Sequence, residues 1–228
     1  MAGRYFKQES FDFLNRLAKN NNRDWFSEHK DDYEEMVREP ALSFIADMSD
    51  DLADISPHFL AVPKKVGGSL MRVHRDVRFG KDKRPYKTNV GIQFRHVMGK
   101  DVHAPGFYLH IEPGECFVGV GIWRPDADAL GKIRERISLF PKQWVTASQD
   151  KIFKKQFAFV GDALQRPPRG YDKEHPQIED LKRKDFIALC PLTEKTITSA
   201  RLKSHTLERF KNAEPLMKFL CKALELNY

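Results

Sequence analysis

The chain has 228 residues, of which 41% are hydrophobic and 31% charged, and its net charge is +7. This balance is typical of one globular domain and excludes a disordered or fibrous protein. No apolar run is long enough for a membrane span, and charged residues stand where a signal peptide needs its apolar core, so we expect a cytoplasmic protein.

The first 55 residues are predicted to be helical. Ser10 can cap a first helix with an apolar face, Asp24 can cap a second, and the asparagines at 20–22 between them are typical of a turn. Pro40 suits the first turn of a third helix, whose apolar residues recur at helical spacing until about residue 56.

In residues 66–123 the apolar residues recur at every second position, which predicts a sheet. Residues 89–95 form one alternating strand, and two more flank a turn at Pro113. If Glu112 lies opposite Glu115 across that turn, one face of the pair is wholly apolar, which supports this register. That face comprises Phe107, Leu109, Ile111, Cys116, Val118 and Val120.

Helical periodicity returns after the sheet, with Asp126 as a candidate cap. The proline-rich segment 165–176 is predicted to be a loop, long enough to form a lid, and the apolar segment 186–192 a strand. Pro215 separates two further helical segments.

We therefore predict an α+β single domain with a mostly antiparallel sheet, covered on its apolar face by N- and C-terminal helices. The sheet is expected to comprise about residues 66–123 plus 186–192. Within 1–228, the expected parts are a helical region at 1–55, the sheet with a basic segment at 64–123, and helices, a loop and a returning strand at 124–228.

The positive charge is concentrated in residues 64–87, called the basic segment below. This segment contains nine Lys or Arg residues against Asp76 and Asp82, which accounts for the entire excess of +7. Cations at this density repel each other unless an anion, an acidic partner or solvent screens them. Gly80 and Pro85 interrupt any long strand, so we expect the arginines to converge from irregular backbone.

Arginine binds phosphate and carboxylate through paired, charge-assisted hydrogen bonds, so an anionic small molecule is the leading predicted partner. Strand alternation puts Arg75 on the apolar side, which predicts a structural arginine held by a carboxylate. The competing interpretation is a salt-bridge network that braces the fold. The candidate ligand-binding residues are Arg72, Arg78, Lys83, Tyr86, Arg95 and Tyr108, and those given structural roles are Arg75, Asp76 and Phe79.

The basic segment contains the pattern RxxRDxRFxxDKxxY, formed by Arg72, Arg75, Asp76, Arg78, Phe79, Asp82, Lys83 and Tyr86. This pattern resembles the signature of a bacterial and fungal family of conserved hypothetical proteins, domain of unknown function 2461. Segments 20–26, 106–114 and 169–176 are similar to that family as well. The resemblance implies a single domain of about this length and carries over no catalytic residue.

Two histidines are candidate general bases: His74 in the basic segment and His110 on the second face of the sheet. Gly91, Gly119 and Gly121 share that second face. They either leave a floor on which a ligand reaches the backbone or relieve crowding beneath a covering element.

No metal or cofactor is predicted. The three cysteines are widely spaced without a CxxC pair, and the grouping of His103, His110, Glu112 and Cys116 matches no strong metal pattern. The common nucleotide, hydrolase and metalloprotease motifs are missing from the sequence.

Three functions stay open at this point. The leading one is binding of an anionic small molecule, with or without a reaction, and the sequence does not decide whether the protein is an enzyme. A nucleic-acid-binding module is the second, since Phe79 and Tyr86 could stack on bases among the cations. The third is a non-enzymatic protein that docks an acidic partner or braces its own fold. No oligomeric state follows from the sequence.

Overall fold

A computed structural model describes residues 4–78, 81–99 and 104–228. The described residues form a six-stranded antiparallel sheet in the order β1-β2-β3-β4-β6-β5. The strands are β1 (Phe59–Leu60), β2 (Val90–His96), β3 (Gly106–Glu112), β4 (Glu115–Ile122), β5 (Ala158–Val160) and β6 (Phe186–Leu192). Helices flank this sheet, so the predicted α+β class is confirmed.

Helices occupy the two regions where they were predicted. Those before the sheet are α1 (Gln8–Lys19), α2 (Arg23–Glu28), α3 (Lys30–Tyr33), α4 (Glu39–Asp47) and α5 (Ser49–Ile55), with a π-helical turn (Glu34–Arg38) between α3 and α4. Those after β4 are α6 (Ala127–Leu139), α7 (Pro141–Ser148), α8 (Lys151–Gln156), α9 (Ile178–Leu181), α10 (Glu194–Ile197), α11 (Leu202–Asn212) and α12 (Glu214–Ala223).

The predicted helix starts are correct in part. Asp126 caps α6 by accepting the Ala129 amide at 2.7 Å. Ser10 lies inside α1 instead of capping it, and α2 is capped by Asn22 instead of Asp24. Asn22 has an extended backbone, which turns its side chain over the first turn of the helix.

The predicted register of the central hairpin is confirmed, because Glu112 lies opposite Glu115. All the residues predicted for its apolar face are buried: Phe107, Leu109, Ile111, Cys116, Val118 and Val120. Phe210 of α11 stacks on Phe107 with ring centroids 4.4 Å apart, and α4 contacts β2. The helices therefore bury one face of the sheet, as predicted.

The sheet is less continuous than predicted. After the two-residue β1, the described residues form isolated bridges but no strand until β2 begins at Val90, so residues 66–89 do not contribute the strand expected there. Two local features explain this difference. Gly67 has a left-handed backbone with φ +72°, and Pro85 has no amide to donate to a neighbouring strand.

His96, at the end of β2, is a buried histidine with both ring nitrogens hydrogen-bonded. Nε2 donates to the Asn227 carbonyl at 2.9 Å, and Nδ1 accepts the Met98 amide at 3.1 Å. Burial lowers the pKa of His96 below its ordinary value of 6.5. A proton on Nδ1 would remove the acceptor for Met98, so the folded protein holds this histidine neutral.

This arrangement predicts a loss of stability in mild acid. Because the folded pKa lies below the unfolded one, the unfolded chain binds the proton first as pH falls below about 6.5. The free energy of unfolding contributed by neutral His96 is complete above that pH and declines as pH falls through the folded pKa. Urea unfolding of the native protein at pH 7.5 and at successively lower pH values measures this decline.

His96→Asn is the matched control, since its amide oxygen can still accept from Met98. We expect this variant to be less stable by about 1 to 2 kcal/mol at pH 7.5, because the bond to the Asn227 carbonyl is lost. The other ionisable groups titrate in both proteins, so the difference between them should narrow as pH falls. A constant difference across this range would contradict the assignment.

Candidate anion-binding site

The basic segment is attached to the edge of β2 as two arms of irregular backbone. Four main-chain hydrogen bonds of 2.8 to 2.9 Å hold these arms: Met71 N to Gly91 O, Gln93 N to Ser69 O, Lys87 N to Val73 O, and Arg75 N to Pro85 O. The described residues 75–78 and 81–84 lie at the tip and are called the tip loop below. Five of the nine cations of the basic segment therefore lie in the tip loop: Arg75, Arg78, Lys81, Lys83 and Arg84.

Asn21, in the turn between α1 and α2, clamps the second arm. Its side-chain nitrogen donates to the Tyr86 carbonyl and its oxygen accepts the Tyr86 amide, both at 3.0 Å. The Tyr86 ring stacks on Phe26 at 4.0 Å between centroids and lies beside His74 at 5.2 Å. Only 6% of Tyr86 is exposed, so its role is packing, and we remove it from the ligand-binding set.

Asp82 holds two arginines within the tip loop. Its Oδ2 lies 2.5 Å from Nη1 of Arg75 and 2.7 Å from Nη2 of Arg84. The hydrogen bonds from Arg84, and then those from Arg75, hold the pKa of Asp82 well below its usual range. Arg75 is thus paired with a carboxylate, but the two partners are 33% and 36% exposed. Replacing Arg75 should therefore cost little stability, because ion pairs this exposed contribute about 1 kcal/mol or less.

Asp76 and Lys83 also bond within the tip loop. Asp76 binds Arg78 through two contacts, at 2.7 Å and 3.0 Å, and these hydrogen bonds lower the pKa of Asp76. Lys83 donates to the carbonyl of Val77 at 2.9 Å. Phe79, to which we gave a structural role, lies outside the described residues. The salt-bridge interpretation therefore accounts for Arg75, Arg78 and Arg84.

Arg72 and Lys87 differ from these cations. Arg72 is exposed and Lys87 half-buried, and within the described ranges neither side chain forms a hydrogen bond or an ion pair, although the charge of Arg72 also acts on Asp76. Burial lowers the pKa of Lys87, and the charge of Arg72 lowers it further. Two neighbouring cations that form no ion pair in the described residues are a candidate anion site. The sequence analysis did not select Lys87 as a binding residue, because Lys87 stands just after the last residue of the signature pattern. The excess of cations over carboxylates did indicate that several cations of the segment would be unpaired.

A row of polar side chains lies on the open face of β3, where strand alternation aligns Tyr108, His110 and Glu112. The Tyr108 hydroxyl is 3.1 Å from His110 Nδ1, and His110 Nε2 is 3.2 Å from Glu112 Oε2. Thr88 donates to the other oxygen of Glu112 at 2.5 Å. The row therefore orients His110 from both sides.

These contacts assign the protons of the row. Glu112 accepts from Nε2 of His110, so Nδ1 is the acceptor for the Tyr108 hydroxyl. Burial and the Glu112 charge raise the pKa of Tyr108 to about 12, so the tyrosine stays protonated at neutral pH. An imidazole held between a carboxylate and a hydroxyl is a geometry suited to proton transfer.

The row lies close to the basic segment. The pKa of Arg84 is raised by its hydrogen bonds to Asp82 and additionally by the charge of Glu112. Thr88, bonded to Glu112, directly follows Lys87 in the chain. The Glu112 end of the row therefore lies beside the second arm of the basic segment.

His74 and Arg95 fit the site less well. In the described part of the chain, His74 has ring contacts but no polar partner to orient it, so His110 is the better candidate base. Arg95 donates to Gln93 at 3.1 Å. It lies six positions from Asn89 along an extended chain, about 20 Å away. The structure therefore separates Arg95 from Lys87, although the first arm of the basic segment reaches Gln93 through Ser69.

Side chains cover most of the proposed glycine floor. A Cβ on Gly91 would lie 2.7 Å from the Tyr108 hydroxyl and 3.0 Å from the sulfur of Met71, and one on Gly119 would lie 3.3 Å from Leu189. These two glycines relieve crowding, which was one of the two explanations that the sequence allowed.

Residues 4–78, 81–99 and 104–228 contain no group of three His, Cys, Asp or Glu residues placed to hold a metal ion. His103, one of the residues considered for such a group, lies outside these ranges. Across the same ranges, no helix has both the length and the apolar character needed to cross a bilayer.

Comparison with protein families identified one match. The family model described as "Conserved hypothetical protein (DUF2461)" matches residues 9–219. Comparison with curated proteins and with solved structures gave no match.

Proposed function

Since the chain belongs to this family of conserved hypothetical proteins, whose description names no ligand, we propose from the site's geometry that it binds a phosphate- or carboxylate-bearing small molecule. Arg72 and Lys87 are the binding residues. The observation that carries this proposal is that the two cations lie close enough to interact while neither side chain forms an ion pair in the described residues, together with the lowered pKa of Lys87.

The ion pairs of the tip loop support this choice of residues. Arg78 already forms an ion pair with Asp76, and Arg75 and Arg84 share Asp82, so an incoming anion gains least from those three. At Arg72 and Lys87 an anion would relieve the repulsion between two cations and favour the charged form of Lys87. Arg72 supplies the planar donor fork and Lys87 a point charge from a partly desolvated position.

We expect inorganic phosphate to stabilise the native protein and to fail on two variants, Arg72→Ala and Lys87→Met. Stabilisation is about 2.7 kcal/mol at a hundred times the Kd, which for a chain of this size is roughly a 5 to 10 °C rise in Tm. Thermal melts with phosphate, sulfate, citrate, sugar phosphates and nucleotides measure it, with chloride at equal ionic strength as the reference.

Arg78→Ala is the matched control, since it removes one exposed arginine that is paired with Asp76. We expect it to keep the response to phosphate and to change the free energy of unfolding by no more than about 1 kcal/mol. The proposal is wrong if no anion raises Tm above the chloride reference, or if all three variants respond like the native protein.

The nucleic-acid alternative gains no support from the described residues. Tyr86, one of the two aromatic residues offered for base stacking, packs against Phe26 in the core. The other, Phe79, lies outside the described residues. We therefore propose the small-molecule function alone.

A further inference from the structure

A second positively charged site lies in the helical layer, on the side of the sheet opposite the polar row. It is an open groove of about 410 Å³ between α7 and α12, with Arg136 of α6 among its lining residues. Lys142, Lys218 and Lys222 also line it, and Ala147 and Phe219 supply apolar surface. This volume is within the range of small-molecule sites.

Arg136 is held rigidly but lacks a counterion. Its guanidinium carbon is 4.8 Å from the ring centroid of Phe140 and 5.3 Å from that of Phe219. One terminal nitrogen donates to Gln143 at 3.1 Å. Within the described ranges no carboxylate pairs with it, and its buried Nε has no hydrogen-bond partner.

The environment of Arg136 is unfavourable for an isolated charge. Burial alone lowers the pKa of Arg136, whereas Asp82 and Asp76 provide carboxylates for the arginines of the tip loop. A guanidinium placed between two aromatic rings loses part of its hydration. An anion in the groove would replace those lost interactions with water by an ionic hydrogen bond.

The lysines of the groove add to this positive charge. Glu214 pairs with Lys218 at 2.6 Å, but Lys142 and Lys222 form no ion pair in the parts of the chain described. Four cations therefore surround the groove against one carboxylate. Because Phe219 and Ala147 cover part of its surface, a ligand that fits must combine a negative head with an apolar body.

We propose that this groove binds an amphipathic organic anion, a carboxylate attached to a hydrocarbon body. The carboxylate lies at Arg136 with Lys142 and Lys222 around it, and the hydrocarbon lies on Phe219 and Ala147. The groove is separate from the Arg72 and Lys87 site, so each proposal can fail without the other.

Decanoate is the probe for this site, and decyltrimethylammonium is its matched cationic counterpart. Titration calorimetry below the micellar concentration should show binding of decanoate and at least tenfold weaker binding of the ammonium compound. Arg136→Met keeps the apolar stem and should weaken decanoate binding at least tenfold. Arg166→Met removes an equal charge from the exposed loop before α9 and should leave it unchanged.

Several outcomes would overturn this proposal. One is that decanoate and decyltrimethylammonium bind with equal affinity, and another is that Arg136→Met binds decanoate as tightly as the native protein does. A third is that a short peptide with Glu beside Leu binds while decanoate does not. If Arg136→Met fails to fold, the double variant Lys142→Gln, Lys222→Gln provides the test, since both lysines are exposed. We expect at least a threefold loss of decanoate affinity, and an unchanged affinity would count against the site.

Discussion

Gly121→Ala is expected to destabilise the protein by about 3 to 5 kcal/mol. Gly121 lies in β4 with φ +114°, a conformation that strains any L side chain. A Cβ there would lie 2.1 Å from the carbonyl oxygen of Phe186, a main-chain atom of the neighbouring strand that cannot rotate away. The strands β4 and β6 would have to separate locally, and urea unfolding measures the loss.

Gly131→Ala is the matched control for this substitution. Gly131 is an exposed residue of α6, and a Cβ there would meet no atom within 4 Å. The same change should therefore stabilise the protein by up to about 1 kcal/mol, because alanine is the better helix former. If both variants shift the free energy of unfolding in the same direction, the close approach of β6 at Gly121 is wrong.

Asn21→Ala is expected to cost about 2 to 3 kcal/mol and to weaken the stabilisation by phosphate. The substitution removes both hydrogen bonds to the main chain of Tyr86 and leaves its amide and carbonyl without those partners. Tyr86 precedes Lys87, so the second arm of the basic segment loses the contact that positions this lysine. Thermal melts with and without phosphate measure both effects.

Asn20→Ala is the matched control, since it tests whether these effects are specific to the hydrogen bonds between Asn21 and Tyr86. Asn20 makes an exposed side-chain bond to the Arg16 carbonyl at 2.9 Å, so its removal should cost no more than about 1 kcal/mol and leave the phosphate response intact. Similar losses of stability and of phosphate response in the two variants would contradict the clamp.

The hairpin of β3 and β4 shows what alternation can predict. A register error of one residue would have moved Leu109 and Val118 out of the core, so the apolar pattern allowed one pairing only.

Helix ends were harder to predict. Asn22 and Asp24 are both acceptable caps, and the choice between them depends on the backbone angle at one residue.

The candidate site was predictable as a region but not as a set of residues. The excess charge of residues 64–87 could be counted from the sequence. The sequence could not show which cations pair with Asp76 and Asp82, because an ion pair depends on how an irregular loop folds back on itself. Sequence periodicity does not predict how an irregular loop folds. Lys87 was therefore left out of the candidate binding residues, and Tyr86 was included although it is buried.

The sequence by itself determined the fold class, the register of the central hairpin and the position of the basic segment, because these follow from local periodicity and from counting charges. The tertiary structure alone decided the partners. Asn21 meets Tyr86, Thr88 meets Glu112, and Arg136 meets Phe219 across long stretches of chain. Such contacts form only when helices and strands pack, so no pattern of neighbouring residues records them.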